Sequence, residues 1–375
     1  MSTLGLYLHI PFCVKKCNYC DFLSFSAEEA LKDEYVKALA MEMRLWKDKV
    51  SNDVVDTIFI GGGTPSLLME GQFDVLQNEM VKSFHFADKM EYTIECNPGT
   101  VDAEKLKNYK KAGVNRISFG LQSTISSELA CLGRIHSYDD FLVSFHQARE
   151  CGFTNINVDL MSAIPEQTVA GYEQTLMRVC ELSPEHISSY SLILEEGTPF
   201  YEKYGECPPV SEEEDRQMYE LTKERLSDFG YHRYEISNYA KAGKECEHNK
   251  KYWKRFPYLG LGLGASSCMQ NVRFSNERNF KTYGQKIKNG NLPVVEKEEL
   301  TKEDCMAEFM YLGLRMMEGV SKKTFYRNFL VPMETYYQSS LEKCIREGLI
   351  EENGDRYCLT DFGIDVSNRV FAEFI

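Results

Sequence analysis

Three cysteines near the start of the chain form the pattern whose chemistry is most specific. Cys13, Cys17 and Cys20 are spaced C-x3-C-x2-C, and no fourth cysteine follows closely. Thiolates are soft ligands for iron–sulfur clusters and zinc, and Lys15 and Lys16 within this loop favour the thiolate form. The spacing favours an iron–sulfur site. Two alternatives stay open, namely three unliganded thiols, or a zinc site completed by a remote residue such as Cys96, His9 or His136.

A glycine run further along the chain could receive a ligand. Gly61, Gly62 and Gly63 have no Cβ, so their backbone can approach a bound molecule closely, and Thr64-Pro65 fixes the exit of the turn. A glycine run by itself most often forms a tight turn. Because this one follows a predicted strand downstream of the cysteine loop, we interpret it as part of a binding site.

Four polar side chains lie in or after the final residues of other predicted strands. Glu95 stands beside a Pro-Gly turn, where a carboxylate can accept hydrogen bonds from ribose hydroxyls or an ammonium group. Gln122, Arg134 and Asp159 occupy equivalent positions later in the chain, and Arg134 can form a bidentate bond with a carboxylate. Each of these residues taken alone could equally be structural.

The elements that must position these residues alternate between strand and helix. Helical patterns separate six runs rich in Val, Ile, Phe and Tyr, and in two of the helical segments a glycine follows the last apolar residue, as at a helix C-cap. Alternating βα units predict a parallel sheet closed into all or most of a barrel, in which the strand C-terminal ends meet at one mouth. The predicted strands are 5–10, 57–63, 91–97, 116–122, 155–161 and 186–194.

Composition excludes several classes of protein. The chain has 375 residues, of which 43% are hydrophobic and 27% charged, as in globular proteins rather than disordered or fibrous ones. A net charge of -14 disfavours nucleic-acid binding. There is no apolar run long enough to span a membrane and no secretory signal, and the 13 cysteines read as thiols, so we expect a cytoplasmic protein.

The alternation of predicted strands and helices ends at about residue 230. A glycine-rich stretch at 260–267 leads into helical segments from about residue 300. Residues 340–368 read as a helix, a short hairpin turning at Asn353 and Gly354, and another helix, which is the order of a winged-helix module; its acidic surroundings favour a structural or partner-docking role over DNA binding. We therefore predict a core domain at 1–235, a connecting segment at 236–299 and a small α+β domain at 300–375.

The cysteine motif followed by GGGTP resembles the radical SAM superfamily. The resemblance implies a partial (β/α)6 TIM-like barrel of the α/β class. It also implies a 4Fe-4S cluster on Cys13, Cys17 and Cys20, whose open iron binds S-adenosylmethionine (SAM). Segments such as SFGLQS and LGRIH are similar to the oxygen-independent coproporphyrinogen III oxidase-like family. That likeness implies these SAM contacts: Tyr7, Gly62, Gly63, Thr64, Glu95, Gln122, Arg134 and Asp159.

Two features indicate one branch of that family. The oxidases carry a further cysteine two residues after the third cluster ligand, where this chain has Phe22, and they have a longer N-terminal arm than the 12 residues that precede Cys13. The segment HNKKYW at 248–253 matches the HNxxYW motif of the haem chaperone (HemW-type) branch. The resemblance implies that His248 supplies an imidazole to haem iron, while Tyr252 and Trp253 offer flat surfaces to the porphyrin.

The interpretation is a haem chaperone that carries a 4Fe-4S cluster and SAM and delivers haem to apo-haemoproteins such as respiratory-chain cytochromes. An electron donor such as flavodoxin or ferredoxin, and a homodimer, are compatible with it. The first alternative is an oxygen-independent coproporphyrinogen III dehydrogenase, which would decarboxylate propionate side chains. The second is a zinc-stabilised interaction protein without redox chemistry. Whether the chain is an enzyme therefore depends on the branch.

Overall fold

The fold is built around six parallel strands that confirm the six predicted runs. The computed structural model describes residues 2–205 and 207–375. In the first strand Leu4, Leu6 and Leu8 are buried on one face, and Gly5 and His9 on the other face are buried too, as in a strand that is covered on both sides. The strands are β1 (Ser2–Ile10), β2 (Asp53–Gly62), β3 (His85–Cys96), β4 (Arg116–Gln122), β5 (Ile156–Ser162) and β6 (His186–Ser191).

These strands lie side by side in chain order and form a partial barrel. Within the described residues they belong to one 12-stranded sheet with the order β12-β11-β10-β9-β1-β2-β3-β4-β5-β6-β8-β7. Strand β9 adds in parallel to β1, whereas β8 adds antiparallel to β6. The predicted partial (β/α)6 barrel is thus confirmed. The added strands are β7 (His232–Glu235), β8 (Asn238–Ala240), β9 (Tyr258–Leu261), β10 (Ser266–Met269), β11 (Val272–Asn276) and β12 (Val294–Glu299).

Local sequence signals fix the helix ends. Ser137 and Asp140 form a capping box at the start of one helix, and Gly113 and Gly152 follow two helices with φ of 99° and 82°. The helices of the first 300 residues are α1 (Glu29–Trp46), α2 (Glu70–Ser83), α3 (Ala103–Lys111), α4 (Ser126–Cys131), α5 (Tyr138–Glu150), α6 (Val169–Glu181), α7 (Pro199–Tyr204), α8 (Glu212–Asp228), α9 (Glu247–Trp253) and α10 (Phe280–Lys288). Three short 3-10 helices cover Lys47–Val50, Pro65–Leu67 and Ala372–Phe374.

The C-terminal part has a separate hydrophobic core and a three-stranded sheet of order β13-β15-β14. A helix, a hairpin and further helices follow one another, which confirms the winged-helix-like arrangement. Its elements are α11 (Lys302–Gly313), β13 (Val320–Ser321), α12 (Lys322–Phe329), α13 (Glu334–Arg346), β14 (Ile350–Asn353), β15 (Arg356–Leu359), α14 (Asp361–Asp365) and α15 (Ser367–Phe371). The domain boundaries near 235 and 299 stay predictions.

The hairpin turn lies one residue later than predicted. Asn353 pairs with Arg356 as the last residue of β14, so Gly354 and Asp355 make the turn. Gly354 has φ of 59°, a conformation that glycine adopts without steric cost. As for membranes, no helix within residues 2–205 and 207–375 combines the length and the apolar character that a crossing needs.

A buried carboxylate joins α1 to the elements on the open side of the barrel. Glu42 is fully buried and accepts hydrogen bonds from Tyr283 Oη at 2.6 Å, Asn276 Nδ2 at 2.7 Å and the Gly262 N–H at 2.9 Å. Burial outweighs these bonds and raises the pKa of Glu42 from 4.5 to about 7. The folded protein therefore holds this proton more tightly than the unfolded chain.

We predict that Glu42→Gln alters how stability depends on pH. Because the folded-state pKa is raised, wild-type stability falls as pH rises from 4.5 to about 7 and levels off above that. The variant has no such proton, so the wild type should lose roughly 1–3 kcal/mol relative to it across this interval. Urea unfolding at a series of pH values measures this difference.

The control is Glu298→Gln, which changes an exposed residue of β12. It should track the wild type at every pH. A wild-type and Glu42→Gln difference that stays constant with pH would show that Glu42 keeps the same protonation state in the folded and unfolded chain.

Candidate functional site

The cysteine loop follows β1 directly and is held in place by backbone hydrogen bonds. The Cys13 N–H donates to Phe25 O at 3.0 Å, and the Asn18 N–H donates to Leu132 O at 3.0 Å. All three cysteines of the motif are free thiols, and all three line one cavity of about 710 Å³, part of it open to solvent. We call this space the cysteine-lined cavity; Gly62, Gly63, Thr64, Asn97, Arg134 and Asp159 also line it.

The groups around the thiols are donors. Thr64 Oγ1 donates to Cys13 Sγ, and Arg134 Nη1 donates to Cys17 Sγ, each at 3.7 Å. Burial raises the pKa of Cys20 to about 11. In the described part of the chain, no three His, Cys, Asp or Glu side chains lie close enough together to hold one metal ion. The thiols instead stand around a shared space, and soft sulfur donors of this kind suit an iron–sulfur cluster.

The glycine run lets the end of β2 pass very close to the end of β1. Gly62 has φ of 108°, and a Cβ there would lie 2.4 Å from the His9 ring. A Cβ on Gly63 would lie 2.7 Å from Phe12 O. The Gly63 N–H donates to Ile10 O at 2.8 Å, so this turn fixes the strand end from which the cysteine loop starts. The glycines therefore have a packing role as well as the predicted binding role.

Arg134 lies in the loop after α4 and lines the cysteine-lined cavity. Its Nη2 donates to Asn97 Oδ1 at 2.9 Å and also to Gly120 O. Its Nε is buried and has no hydrogen-bond partner among the described residues. A buried N–H without an acceptor is costly, so this atom suits a ligand that brings an acceptor, such as the carboxylate of SAM.

The other predicted polar residues lie around the same space. Glu95 accepts the Gly62 N–H at 3.0 Å, and its burial raises its pKa to about 8. Burial also raises the pKa of Asp159, which accepts from Asn157 Nδ2 at 2.8 Å. Gln122 ends β4 with φ of 71° and lines the cysteine-lined cavity. These groups fit a polar cofactor with both amino and hydroxyl groups.

A second cavity of about 700 Å³ adjoins the first. We call it the inner chamber. It shares lining residues with the cysteine-lined cavity, namely Phe22, Gly62, Glu95, Ser118 and Asp159. Its remaining walls are formed by Tyr7, Phe59, Arg116, Asn157, Ser188, Tyr190, His248, Asn249 and Tyr252. Tyr7, predicted as a SAM contact, thus faces the inner chamber, where its hydroxyl hydrogen-bonds His9 Nδ1 at 3.0 Å.

The helix that carries the HNxxYW motif, α9, lies across the end of the barrel where the strands begin. Glu91 of β3 accepts the N–H groups of Glu247 and His248, each at 3.0 Å. The His248 ring is buried and uses both nitrogens: Nδ1 hydrogen-bonds Thr57 Oγ1 at 2.9 Å, and Nε2 hydrogen-bonds Tyr252 Oη at 2.8 Å. Burial lowers the pKa of His248 to about 3, so this imidazole is neutral.

Trp253, the third residue predicted to contact haem, lies elsewhere. The Trp253 ring packs under the Arg315 guanidinium, 4.3 Å from the ring centroid, and lines a separate groove against the C-terminal domain. The structure therefore brings His248 and Tyr252 to the inner chamber and does not bring Trp253 with them.

Two residues at these cavities were missed by the sequence analysis. Asn97 links Thr64 to Arg134, because its Nδ2 donates to Thr64 Oγ1 at 2.8 Å while its Oδ1 accepts from Arg134. Its place directly after a strand, in ECNPG, was the available signal. Arg116 begins β4 and lies inside the barrel, and a single basic residue at a strand start gives no such signal.

Comparisons with known proteins agree with this geometry. The family model of the Radical SAM superfamily matches residues 7–179, and that of the HemN C-terminal domain matches residues 300–366. Among solved structures, coproporphyrinogen III oxidase (HemN) from Escherichia coli superposes with a TM-score of 0.89 at 23% identity, covering 100% of this chain and 90% of that one. This likeness confirms the fold.

Curated relatives extend along the whole chain. Heme chaperone HemW of Bacillus subtilis is 39% identical over 374 residues, covering 98% of each chain. Heme chaperone HemW of Escherichia coli is 34% identical over 381 residues, covering 100% of this chain and 99% of the relative. The resemblance stated from the cysteine, glycine and HNxxYW motifs is confirmed. The chain belongs to the radical SAM superfamily and, within it, to the family of the Heme chaperone HemW proteins.

Proposed function

We propose that this protein is a haem chaperone, which binds haem and passes it to apo-haemoproteins. The observation that carries the proposal is the similarity to Heme chaperone HemW proteins over the entire chain, at 39% identity for the Bacillus subtilis protein. Phe22 supports it. This side chain is 62% exposed, lines both cavities and stands where the oxidases have a further cysteine.

In this proposal Cys13, Cys17 and Cys20 hold a 4Fe-4S cluster in the cysteine-lined cavity. The cluster supplies one iron without a protein ligand, to which SAM can bind, and a source of single electrons. Thr64 and Arg134 offer hydrogen-bond donors to two of the sulfur atoms, which favours the reduced, more negative cluster.

SAM would lie between the cluster and the inner chamber. Arg134 presents its unpaired Nε for the methionyl carboxylate, while Glu95 is placed to accept from an ammonium or a hydroxyl group. The full set of SAM contacts that we propose is Tyr7, Gly62, Gly63, Thr64, Glu95, Gln122, Arg134 and Asp159.

Haem contact by the HNxxYW segment is also a proposal. His248 can bind iron only after Nδ1 loses Thr57 or Nε2 loses Tyr252, because both nitrogens are engaged. A small movement of α9 relative to the barrel can break the Thr57 bond, because Thr57 lies on β2, whereas Tyr252 lies on the same helix as His248 and moves with it. Trp253 would serve haem at the groove beside the C-terminal domain rather than in the inner chamber.

Partners and location follow from the same proposal. We infer that the protein delivers haem to apo-haemoproteins such as respiratory-chain cytochromes and that a flavodoxin or ferredoxin reduces its cluster. We also infer that it forms a homodimer in the cytoplasm and does not bind nucleic acid. The alternative function, oxygen-independent coproporphyrinogen III dehydrogenase, is not favoured, because the whole-length relatives at 30–39% identity have the chaperone name and the likeness to the oxidase is 23%.

The cluster proposal predicts the metal content of a cysteine variant. Anaerobically purified wild type should contain about four iron and about four sulfide per chain. Cys17→Ser should lose most of both, because one of three anchors is gone. Cys207→Ser, which changes an exposed cysteine outside the motif, should keep them. Zinc without sulfide in the wild type would contradict the cluster and favour the interaction-protein alternative.

The SAM proposal predicts the effect of Arg134→Lys. This change removes Nε and the planar fork while keeping the charge, so SAM affinity should fall by roughly 10- to 100-fold in a calorimetric titration of reconstituted protein. The cluster absorption spectrum should be recorded in parallel because Arg134 contacts Cys17. Arg178→Lys, at a residue that contacts Thr124, is the matched control. Unchanged SAM affinity with an intact cluster would exclude Arg134 from the SAM site.

The haem proposal predicts opposite effects for two neighbouring residues. His248→Ala should weaken haem binding and change the haem absorption spectrum, because the imidazole is lost. Tyr252→Phe should strengthen binding, because it frees Nε2 of His248 for iron. Titration of haem followed by absorption measures both effects, with His146→Ala as a surface control.

Identical titration curves for the wild type and His248→Ala would remove His248 from the haem site. The same preparations should be incubated with coproporphyrinogen III, SAM and a reductant. Little product is expected, and rapid decarboxylation would replace the chaperone proposal by the dehydrogenase.

A further inference from the structure

A buried arginine inside the barrel has no side-chain partner among the described residues. Arg116 is 2% exposed, and its side chain lines the inner chamber. Its Nε has no hydrogen-bond acceptor, and the guanidinium forms neither a hydrogen bond nor an ion pair with any residue that the structure describes. Folded proteins normally pair buried charges, because an unpaired one is costly to remove from water.

The acids near Arg116 are engaged by other donors. Glu91 accepts the N–H groups at the start of α9 and the Cys246 thiol. Asp159 accepts from Asn157 Nδ2 at 2.8 Å and from Ser118 Oγ at 3.3 Å. Burial alone would lower the pKa of Arg116, but the electrostatic effect of the surrounding groups, Cys246 first and then Glu91 and Asp159, outweighs burial and raises this pKa. Neither of the two acids is placed to bond with the guanidinium. The cationic group is thus held without an acceptor at the wall of the inner chamber.

The chamber has room for a ligand and further polar groups to hold one. Its volume is about 700 Å³, part of it open to solvent, and Ser188, Tyr190 and Asn249 share its wall with Arg116. Its acidic residues, Glu95 and Asp159, are buried, and burial raises the pKa of both, to about 8 for Glu95. The Arg116 guanidinium can balance the single negative charge of a carboxylate at this wall. A doubly charged phosphate would keep one negative charge without a partner beside these acids.

We propose that the inner chamber binds a ligand carboxylate on Arg116, with the rest of the ligand extending toward the cysteine-lined cavity. The planar guanidinium presents parallel N–H groups that match the two oxygens of a carboxylate. The two spaces share Glu95, Ser118 and Asp159, so the far end of such a ligand lies beside the proposed SAM site.

The carboxylate could come from two sources. One is a propionate side chain of haem, and this part rests on the proposed function. The other is a free small carboxylic acid. Both supply the same group to Arg116, so the experiment uses one probe for each.

The variant is Arg116→Met in the full-length, reconstituted protein, a change that keeps the length of the side chain and removes the charge. Sodium propionate at millimolar concentration should raise the melting temperature of the wild type and leave that of the variant unchanged. Inorganic phosphate at the same concentration should affect neither. If haem supplies the carboxylate, the wild type should bind haem at least ten times more tightly than haem dimethyl ester, and the variant should bind both alike.

A second measurement separates a binding role from a structural one. If Arg116 has no internal partner, Arg116→Met without ligand should melt at or above the wild-type temperature. Arg149→Met is the matched contrast, because Arg149 is paired with Glu185 at 2.8 Å, and its loss should lower the melting temperature. A lower melting temperature for Arg116→Met would show that Arg116 is structural and would overturn the proposal.

Equal responses of the wild type and Arg116→Met in both the propionate and the haem arms would also overturn it, since water alone would then fill the chamber. A response in either arm that the variant loses supports it. A wild type that binds no haem at all would contradict the chaperone proposal, and the propionate arm would then decide the carboxylate site by itself.

Discussion

The contact between the ends of β1 and β2 is the constraint on which the site depends. Two backbone hydrogen bonds, from Gly63 N–H to Ile10 O and from Thr64 N–H to Phe12 O, join the glycine turn to the segment that enters the cysteine loop. Neither bond could form if residue 63 had a side chain, because its Cβ would overlap this same backbone. The position of the three thiols therefore depends on the position of the glycine turn.

Much of the fold could be predicted because its strands are short apolar runs between amphipathic helices. Two element boundaries were predicted wrongly, and in both cases strand pairing explains the difference. Strand β3 begins at His85, six residues before the predicted start, because His85 and Phe86 pair with Val54 and Val55 of β2. The segment HFADKM has no regular apolar alternation, so the sequence pattern did not show this extension. The hairpin turn moved by one residue because strand pairing, rather than the Asn-Gly dipeptide, decides which residues remain for the turn.

The candidate site was predictable where residues act through their own type and spacing, as with the three cysteines and the glycines. The site was not predictable where the role of a residue depends on its lacking a hydrogen-bond partner in the folded protein. Arg116 looks ordinary in NRISFG, and only the packed barrel shows that its neighbours bond elsewhere. The HNxxYW motif was predictable only in part. His248 and Tyr252 are four residues apart and share a helix face, whereas Trp253, five residues after His248, lies on another face.

Helix α9 has a mechanical consequence. Its seven residues make about two turns, too few to bend, so the two ends rotate together. One side of this rod presents an imidazole to the interior of the barrel, and the other places an indole against Arg315 of the neighbouring domain. A displacement of that domain would therefore move the imidazole as well, because the indole and the imidazole are fixed to the same short helix.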